Sequence, residues 1–261
     1  MSKFFVAFAL LTVVCTTALD ARPDETALLA LWEKQAKEPE NHAVIVQDAT
    51  VFEQSFAQSP LVTVARGLEA WHQLKSGNSD DARRLLGLLS TGGADPLAAA
   101  GREMAFRWLT RLDILAVKQG LLKVFADTIE YPDTLAPVGN LPASVRPPMA
   151  DRWGSPWAYK PADFKLIKAG PKQNYVLQST KLGDKSDLEK ALAVRYGGAG
   201  LKIERVLSPA GGKAVLQFSG SGVSNGILSE GNTAGDISFP YFGERIVVLS
   251  NGDYWVVLPK P

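Results

Sequence analysis

The sequence predicts an α+β protein, and three observations support this fold class. Apolar side chains recur at helical spacing over residues 22–130, prolines and short apolar runs dominate residues 131–196, and apolar and polar side chains alternate over residues 197–261. The first 21 residues have the composition of a targeting segment. We therefore expect four consecutive parts: a signal peptide over 1–21, a helical domain over 22–111, an α+β domain over 112–196 and a small β domain over 197–261.

The composition is that of an ordinary folded protein and excludes several functional classes. Of the 261 residues, 28 are basic and 27 are acidic, so the chain lacks the positive charge that is typical of nucleic-acid-binding proteins. Two histidines and one cysteine are too few for a zinc or disulfide framework. No apolar run reaches the roughly 20 residues of a transmembrane helix.

The N-terminus has the order of features of a secretory signal. Lys3 precedes an apolar stretch over residues 4–14, and small residues such as Thr16 and Ala18 follow it. We expect cleavage after Ala18, with Ala21 as the second choice. An uncleaved anchor is the alternative, although the apolar stretch is short for a membrane span.

Cys15 allows a second alternative, which is lipidation. A lipoprotein signal places a small residue before the cysteine, whereas Val14 precedes Cys15 here and is bulky for that position. Without lipidation, the mature chain contains no cysteine and needs no disulfide bonds. We expect a periplasmic or secreted protein of a bacterial envelope, attached to a membrane only if the signal is uncleaved or Cys15 is lipidated.

The helical region is predicted to contain four short helices followed by a long one. Leu28 and Trp32 lie on one face of the first helix, and Asp80 is expected to cap the fourth. The long stretch over residues 95–128 is either one helix or two helices divided near Gly120. The expected bounds of the first four helices are 25–37, 42–57, 60–76 and 81–90.

One helical hairpin in this region resembles a tetratricopeptide repeat. Leu68 and Trp71 match the large residues of the first helix of such a repeat, Gly77 matches its turn, and Ala82 matches the small residue of its second helix. Repeats stabilise one another by stacking, and a single hairpin does not make an array. The alternative is a helical bundle of general type.

Short strands are predicted after the helical region. Asn251-Gly252 lies between two apolar runs and predicts a β-hairpin, because both residues tolerate positive φ. The elements expected in the middle region are strands over 157–159, 164–168 and 175–178 and a helix over 187–195. The strands expected in the C-terminal region are 201–207, 213–218, 227–229, 237–239, 245–250 and 254–258.

The middle region carries a specific order of residues. A helix ends at Tyr131-Pro132, residues 151–159 read Asp-Arg-Trp-Gly-Ser-Pro-Trp-Ala-Tyr, and a later strand leads to Leu182-Gly183-Asp184. Over residues 112–187 this order resembles the periplasmic domain of major pseudopilins from type II secretion systems. The resemblance implies a pseudopilin-like α+β domain in which a small sheet packs on a helix.

The residue types of this block predict its local structure. Asp151 is expected to accept hydrogen bonds within a turn at Gly154, which tolerates positive φ. Trp157 and Tyr159 share one face of a strand and are expected to cover the preceding helix. The chain lacks the prepilin-peptidase site followed directly by a long apolar helix, so we do not expect it to polymerise as a pseudopilus subunit.

The resemblance also implies a calcium loop after the last of these strands. Asp184, Asp187 and Glu189 lie in that place, but the glycine-rich acidic run is missing and lysines interrupt the acidic residues. We therefore expect no metal and no cofactor, with calcium near Asp184 as the alternative. In the simpler interpretation, Asp187 lies at the start of a solvated helix.

The C-terminal region carries a second pattern, made of residues 201–208, 214–216, 230–232, 245–252 and 257–258. It reads Leu-Lys-Ile-Glu-Arg-Val-Leu-Ser, Ala-Val-Leu, Glu-Gly-Asn, Arg-Ile-Val-Val-Leu-Ser-Asn-Gly and Val-Leu. This order resembles the secretin-docking homology-region β domain of the inner-membrane clamp proteins of type II secretion. The resemblance implies a short β sandwich that contacts the first periplasmic domain of a secretin. A generic small β barrel or sandwich is the alternative.

The chain offers little for catalysis. Residues 222–226 match the Gly-x-Ser-x-Gly nucleophile elbow around Ser224, but their flanks predict β structure and both histidines lie far upstream. His42 and His72 lie on separate predicted helices and are expected at surface or helix-end positions. We predict no catalytic, cofactor-binding or metal-binding residues and no enzymatic activity. Carboxylate-only hydrolysis stays open, because paired acids meet only in the fold.

The six tryptophans divide into two groups. Those on helical apolar faces are expected in the core, and the other three are candidates for exposed, sugar-binding positions, although aromatic residues on strands usually pack. The first group is Trp32, Trp71 and Trp108. The second group is Trp153, Trp157 and Trp255.

These features together indicate an exported, non-enzymatic component or accessory of a type II secretion or type IV pilus-like envelope machine. Its expected partners are proteins, either a secretin periplasmic domain or pseudopilins, with no nucleic acid and no small-molecule substrate. The expected mechanism is strand addition along an exposed edge within residues 201–258. The alternative is an exported scaffold or binding protein with no secretion role, which binds a peptide or glycan through a helical groove or a Trp153–Trp157 surface.

Overall fold

The computed structural model describes residues 22–163, 172–197, 200–207, 213–220 and 223–260. In these residues the chain combines N-terminal helices with small antiparallel sheets toward the C-terminus, which confirms the predicted α+β class. The expected signal peptide, with Cys15, and the strand expected over 164–168 lie outside the described residues. Among the helices that are described, none is long and apolar enough to cross a bilayer.

Five helices form the N-terminal part of the described chain. They are α1 (Pro23–Lys37), α2 (His42–Ser55), α3 (Val62–Lys75), α4 (Ser79–Ser90) and α5 (Pro96–Thr128). The long predicted stretch is one uninterrupted helix, α5, which also continues into the region expected to be pseudopilin-like. Asp95 caps α5, because its side chain accepts hydrogen bonds from the N–H groups of Leu97 and Ala98.

The predicted cap of α4 is wrong. Asn78 occupies the N-cap position, and Asp80 lies inside the first turn beside Asp81. The helix begins earlier than predicted because the chain reverses quickly after α3, at Gly77, which has a φ of 81°. Both carboxylates still lie near the helix N-terminus, where a negative charge interacts favourably with the helix dipole.

The second half of α5 carries a small layer of its own. Strands β1 (Trp157–Asp163) and β2 (Lys172–Ser179) pair as an antiparallel hairpin. The hairpin and the short helix α6 (Ala136–Gly139) bury Trp157, Leu177 and Val138 against α5, with Tyr159 partly buried at the rim. The prediction that Trp157 and Tyr159 cover the preceding helix is confirmed.

The turn before β1 also forms as predicted. Asp151 accepts hydrogen bonds through Oδ1 from the N–H groups of Trp153 (3.1 Å) and Ser155 (2.9 Å). Gly154 has a φ of 83°, which disfavours any residue with a Cβ atom. A 3₁₀ turn at Gly183–Ser186 and the helix α7 (Leu188–Ala193) follow β2.

The C-terminal region forms two sheets. The first contains, in order, β3 (Lys202–Leu207), β4 (Val215–Gly220) and β5 (Val223–Ser229). The second contains β6 (Thr233–Ala234), β7 (Ile237–Phe242), β8 (Ile246–Ser250) and β9 (Trp255–Pro259). The predicted hairpin joins β8 and β9, although its loop spans four residues. Asn251 accepts hydrogen bonds from the N–H groups of Asp253 and Tyr254, and the positive φ falls on Gly252.

The β8–β9 hairpin is buried on both of its faces, so the second sheet is a middle layer between the helices and the first sheet. The residues that pack in the core of the helices are Ile246, Val248, Trp255 and Val257. The residues that pack against the first sheet are Val247, Leu249 and Val256. The helices and the sandwich therefore share apolar contacts through this hairpin.

A buried carboxylate also ties the middle sheet to α1. Glu25 accepts hydrogen bonds from the N–H of Arg245 (2.7 Å) and from the hydroxyl of Tyr241 (2.8 Å). Arg22 lies 3.2 Å from the same carboxylate and balances its charge. Glu25 thus links the first turn of α1 to the turn between β7 and β8.

Candidate functional site

Among the described strands, the first sheet has two open edges, β3 and β5, and the edge formed by β3 is the leading candidate for an interaction site. β3 pairs with β4 on one side, and no other strand in the described part of the chain pairs with its second side. The register with β4 shifts between Ile203 and Arg205, which marks a bulge in β3. Any edge strand presents unpaired main-chain groups to which an added strand can bond, whereas a bulge and charged side chains on the edge restrict which strands can pair with it.

The side chains of β3 divide between the sandwich core and solvent. Ile203 and Val206 pack toward the core, whereas Lys202, Glu204 and Arg205 are exposed. Leu207 is also exposed on this strand, and Ile227 on β5 is two-thirds exposed. Apolar packing therefore anchors the inner face of this edge, and its outer face carries three charged side chains and Leu207, while Ile227 lies two strands away on β5.

A partly buried network of charges lies where α5, the 3₁₀ turn and the middle sheet meet, with Arg107 and Arg111 buried and Lys185 and Asp236 exposed. Arg107 donates to Asp236 at 2.7 Å, and Lys185 pairs with the same carboxylate. Arg111 donates through Nε to the carbonyl oxygen of Lys185 at 2.8 Å, and its Nη2 lies 2.8 Å from Asp253. The network thus connects three parts of the chain that are far apart in sequence.

Burial and charge pairing act on these groups in opposite directions. Burial lowers the pKa of Arg111, and the charge of Asp253 only partly offsets this effect. Burial also acts to lower the pKa of Arg107, but the hydrogen bond to Asp236 and the nearby carboxylates outweigh it and raise that pKa. Burial acts to raise the pKa of Asp236, yet the hydrogen bonds from Lys185 and Arg107 lower it. The pairing of Arg107 with Asp236 therefore favours the charged forms of both groups.

Two cavities flank the turn between β6 and β7. One, of about 470 Å³, lies between Arg111, α7 and the β8–β9 loop. The other, of about 590 Å³, lies between the first half of α5 and the β6–β7 hairpin. Asp236 borders both cavities. Because the charged side chains between them are paired with one another, this junction primarily holds the three regions together.

Both histidines lie at helix ends, as predicted, His42 in the first turn of α2 and His72 in the last turn of α3, but they contact each other there and His72 is buried. Their Nδ1 atoms are 2.9 Å apart. Burial, and then the charges of His42 and Lys75, lower the pKa of His72 to about 3. Thirty residues separate the pair in the sequence, so no local motif could reveal it.

The other sequence candidates do not converge on one site. Asp187 accepts a hydrogen bond from the N–H of Lys190 at 2.9 Å and so caps α7, while Asp184 contacts Gln178. The described residues contain no group of three or more His, Cys, Asp or Glu side chains that could hold a metal ion. Ser224 lies within β5, and Gly222 before it lies outside the described residues.

Most of the tryptophans pack inside the molecule. Trp71 and Trp108 are buried and Trp32 is partly buried in the helical core, as predicted. Of the three candidates for exposed positions, Trp157 and Trp255 are buried and Trp153 is half-buried, with its Nε1 donating to Glu103 at 3.0 Å. A continuous Trp153–Trp157 binding surface therefore does not form.

Comparisons with known proteins add no further identification. A scan against protein-family models, a search of curated proteins and a search of solved structures each gave no match to this chain. The pseudopilin-like and secretin-docking resemblances thus stay predictions from the sequence.

Proposed function

We propose that this chain is an exported, non-enzymatic accessory of a type II secretion or type IV pilus-like envelope machine, and that it acts by protein–protein contact. The observation that carries the proposal is the open edge of β3, which is six residues long and is held by the sandwich core behind it. The residues that match the secretin-docking pattern include Ile203 and Val206 of this same strand.

The proposed mechanism is β-strand addition. A partner strand would bond to the main-chain groups on the free side of β3 and extend the sheet from three strands to four. The exposed Lys202, Glu204 and Arg205 would select the partner through charge, since charged side chains at an interface rim govern specificity more than affinity. A secretin periplasmic domain is the partner that the resemblance implies.

Amide hydrogen exchange tests this mechanism directly. The mature full-length chain is mixed with the purified periplasmic domains of the secretin from the same host. We expect slower exchange of the amides of residues 202–207 in the complex, because strand addition protects edge amides, and unchanged exchange in the β1–β2 hairpin. Binding without protection at residues 202–207, or no binding, would contradict the proposal.

Site-specific crosslinking gives a second readout with a matched control. The photoreactive residue p-benzoylphenylalanine is placed at position 205 on β3, or at position 176 on β2, which is also exposed. Crosslinking to the secretin fragment is expected from position 205 and not from position 176. Equal crosslinking from both positions would indicate non-specific association.

A second candidate function rests on the two cavities that meet at Asp236. They favour an exported binding protein with no secretion role, whose ligand would lie between α5 and the middle sheet. Gentle crosslinking and co-purification from the host, with a tag after Pro261, separates the two candidates. Recovery of a secretin or pseudopilins supports the first candidate, and recovery of the protein without them supports the second.

A further inference from the structure

A groove with a positively charged lining borders the second half of α5. It has a volume of about 440 Å³, and Asp113 is the one carboxylate among the residues that line it in the described part of the chain. Four cationic side chains line it as well, so the formal charge of the groove is +3, whereas that of the whole chain is +1. We call it the basic groove, and its cations are Arg83, Lys123, Arg146 and Arg152.

One face of α5 forms the floor of the basic groove. Asp113, Ala116, Gly120 and Lys123 line it at intervals of three and four residues, so they lie on the same side of the helix. Ala116 carries only a methyl group and Gly120 no side chain, so the floor is open between the charged residues. The α-carbons of Asp113 and Lys123 are separated by about 15 Å along the helix axis.

The segment 144–148 forms one wall of the groove and packs tightly on α5. A Cβ atom at Gly120 would lie 3.4 Å from Cγ of Pro147, so the missing side chain allows this close approach. Arg146 is fixed across the same loop, because its Nε donates to the carbonyl oxygen of Leu141 at 3.0 Å. The wall and its arginine therefore have a defined position relative to the helix.

Two further cations are held at one end of the groove. Asp113 is 2% exposed and accepts hydrogen bonds from Arg83 Nη1 (2.9 Å) and Arg152 Nε (2.6 Å). The turn that contains Arg152 is attached to α5, because the main-chain N–H of Arg152 donates to Thr110 Oγ1 at 3.2 Å. Each guanidinium group keeps further N–H donors with which to bind a second carboxylate.

Lys123 and Arg146 add positive charge that the protein itself does not neutralise. Both side chains are exposed, and neither forms an ion pair with a carboxylate among the residues that the structure describes. A groove lined by charges of one sign concentrates the electrostatic field and attracts ligands of the opposite charge. The basic groove therefore has the electrostatics of a site for an acidic ligand.

We infer that the basic groove binds an extended acidic segment of a protein partner. One carboxylate of that segment would bind the arginine pair on Asp113, and another would reach Lys123 and Arg146. The separation of about 15 Å corresponds to about four or five residues of extended chain, at about 3.3 Å per residue. A small anion cannot reach both ends, and bases of a nucleic acid would meet no aromatic side chain among the described lining residues. The site is separate from the β3 edge and goes beyond the proposed function.

The test is an NMR titration of the mature full-length chain with N-acetylated, C-amidated hexaglutamate. We expect the amide resonances of residues 113–123 and 144–152 to shift and those of residues 202–207 to stay in place. Hexaglutamine and inorganic phosphate are the comparison probes. Both are expected to bind about ten-fold or more weakly, because the first carries no charge and the second cannot engage both ends of the groove at once.

A matched pair of variants distinguishes the groove from the overall charge of the protein. Lys123→Gln removes a cation of the groove, whereas Lys118→Gln removes the same charge from the same helix at a position that does not line it. We expect Lys123→Gln and Arg146→Gln each to weaken the binding of hexaglutamate about two- to five-fold, the usual range for an exposed ion pair. Lys118→Gln is expected to leave the affinity unchanged, and thermal melting verifies the fold of each variant.

Several outcomes of these measurements would overturn the inference. They are no binding of hexaglutamate at millimolar concentration, shifts spread over the surface, equal affinity for inorganic phosphate, tighter binding of a six-nucleotide oligothymidylate, and equal weakening by Lys118→Gln and Lys123→Gln. None of them changes the readouts at position 205, so this inference and the proposed function fail independently.

Discussion

Arg111 is the side chain at which three parts of the chain converge. It lies on α5, donates to the main chain at Lys185, pairs with Asp253 in the β8–β9 loop, and stacks over the ring of Trp108. Its side chain is 1% exposed, and its Nη1 has no hydrogen-bond partner in the described part of the chain. Removing this buried cation is costly, because Asp253 would keep only its longer contact with Arg107, at 4.0 Å.

We expect Arg111→Met to lower the free energy of unfolding by about 3 kcal/mol, the magnitude typical of breaking a buried ion pair. The methionine fills much of the volume but restores none of the hydrogen bonds. Urea denaturation measures the change. Arg84→Met is the control, because the Arg84 side chain is 61% exposed, and it should change stability by no more than about 0.5 kcal/mol. Equal effects of the two substitutions would contradict the role given to Arg111.

The buried His72 predicts how stability depends on pH. Its pKa is about 3 in the folded protein and about 6.5 in the unfolded chain, so only the unfolded chain takes up a proton between these values. The contribution of His72 to stability is therefore complete above about pH 6.5 and is lost as the pH falls, with a slope of up to about 1.4 kcal/mol per pH unit.

Urea denaturation between pH 4 and pH 7 compares the parent with His72→Gln, which is expected to show a shallower slope. His42→Gln serves as the control, because it leaves His72 buried, and it is expected to keep most of the slope. The absolute stability of either variant does not affect this readout. A slope unchanged in His72→Gln would show that other groups cause the acid sensitivity.

At the scale of the elements, α3 packs closely against β9 of the middle sheet at Gly67. A Cβ atom at Gly67 of α3 would overlap Trp255 Nε1 and approach the sulfur of Met104. Trp255 is fully buried, so its ring has no room to move away. Gly67 therefore allows the helix to pack directly on the strand.

Gly67→Ala is expected to lower the free energy of unfolding by about 1–3 kcal/mol, the usual cost of overpacking, despite the better helix propensity of alanine. Gly87→Ala on α4 is the matched control, because no atom lies within 4 Å of its added Cβ. It is expected to stabilise the protein by up to about 1 kcal/mol. Thermal unfolding followed by circular dichroism distinguishes the two, and a stabilised Gly67→Ala variant would mean that the contact with Trp255 is loose.

The amino-acid sequence predicts individual helices, turns and hairpins better than it predicts how these elements pack against one another. The apolar spacing of α1, the turn at Asp151 and the β8–β9 hairpin follow from neighbouring residues, so the sequence predicts all three. The burial of both faces of β8 had a signal in the sequence, since an unbroken apolar run over 246–249 is typical of a strand covered on two sides. The His42–His72 pair and the partners of Arg111 depend on tertiary packing and have no local signal.

At the scale of the whole molecule, the middle sheet takes part in two cores at once. One face of β8 and β9 lies in the core of the helices, and the other face lies in the core of the sandwich. Glu25 and Arg111 add polar links between the same layers. A docking event on β3 therefore acts on a sheet that packs against the middle sheet, which in turn packs against the helices.

This arrangement predicts that residues 197–261 do not fold when expressed alone. Without the helices, the apolar face made by Ile246, Val248, Trp255 and Val257 would lie in water, and exposed apolar surface costs about 25 cal/mol per Å². We expect a poorly dispersed NMR spectrum for this fragment and a single cooperative calorimetric transition for the mature chain, with equal calorimetric and van't Hoff enthalpies. A dispersed fragment spectrum, or two separate transitions in the mature chain, would show instead that the sandwich is an autonomous domain and that its contacts with the helices contribute little to stability.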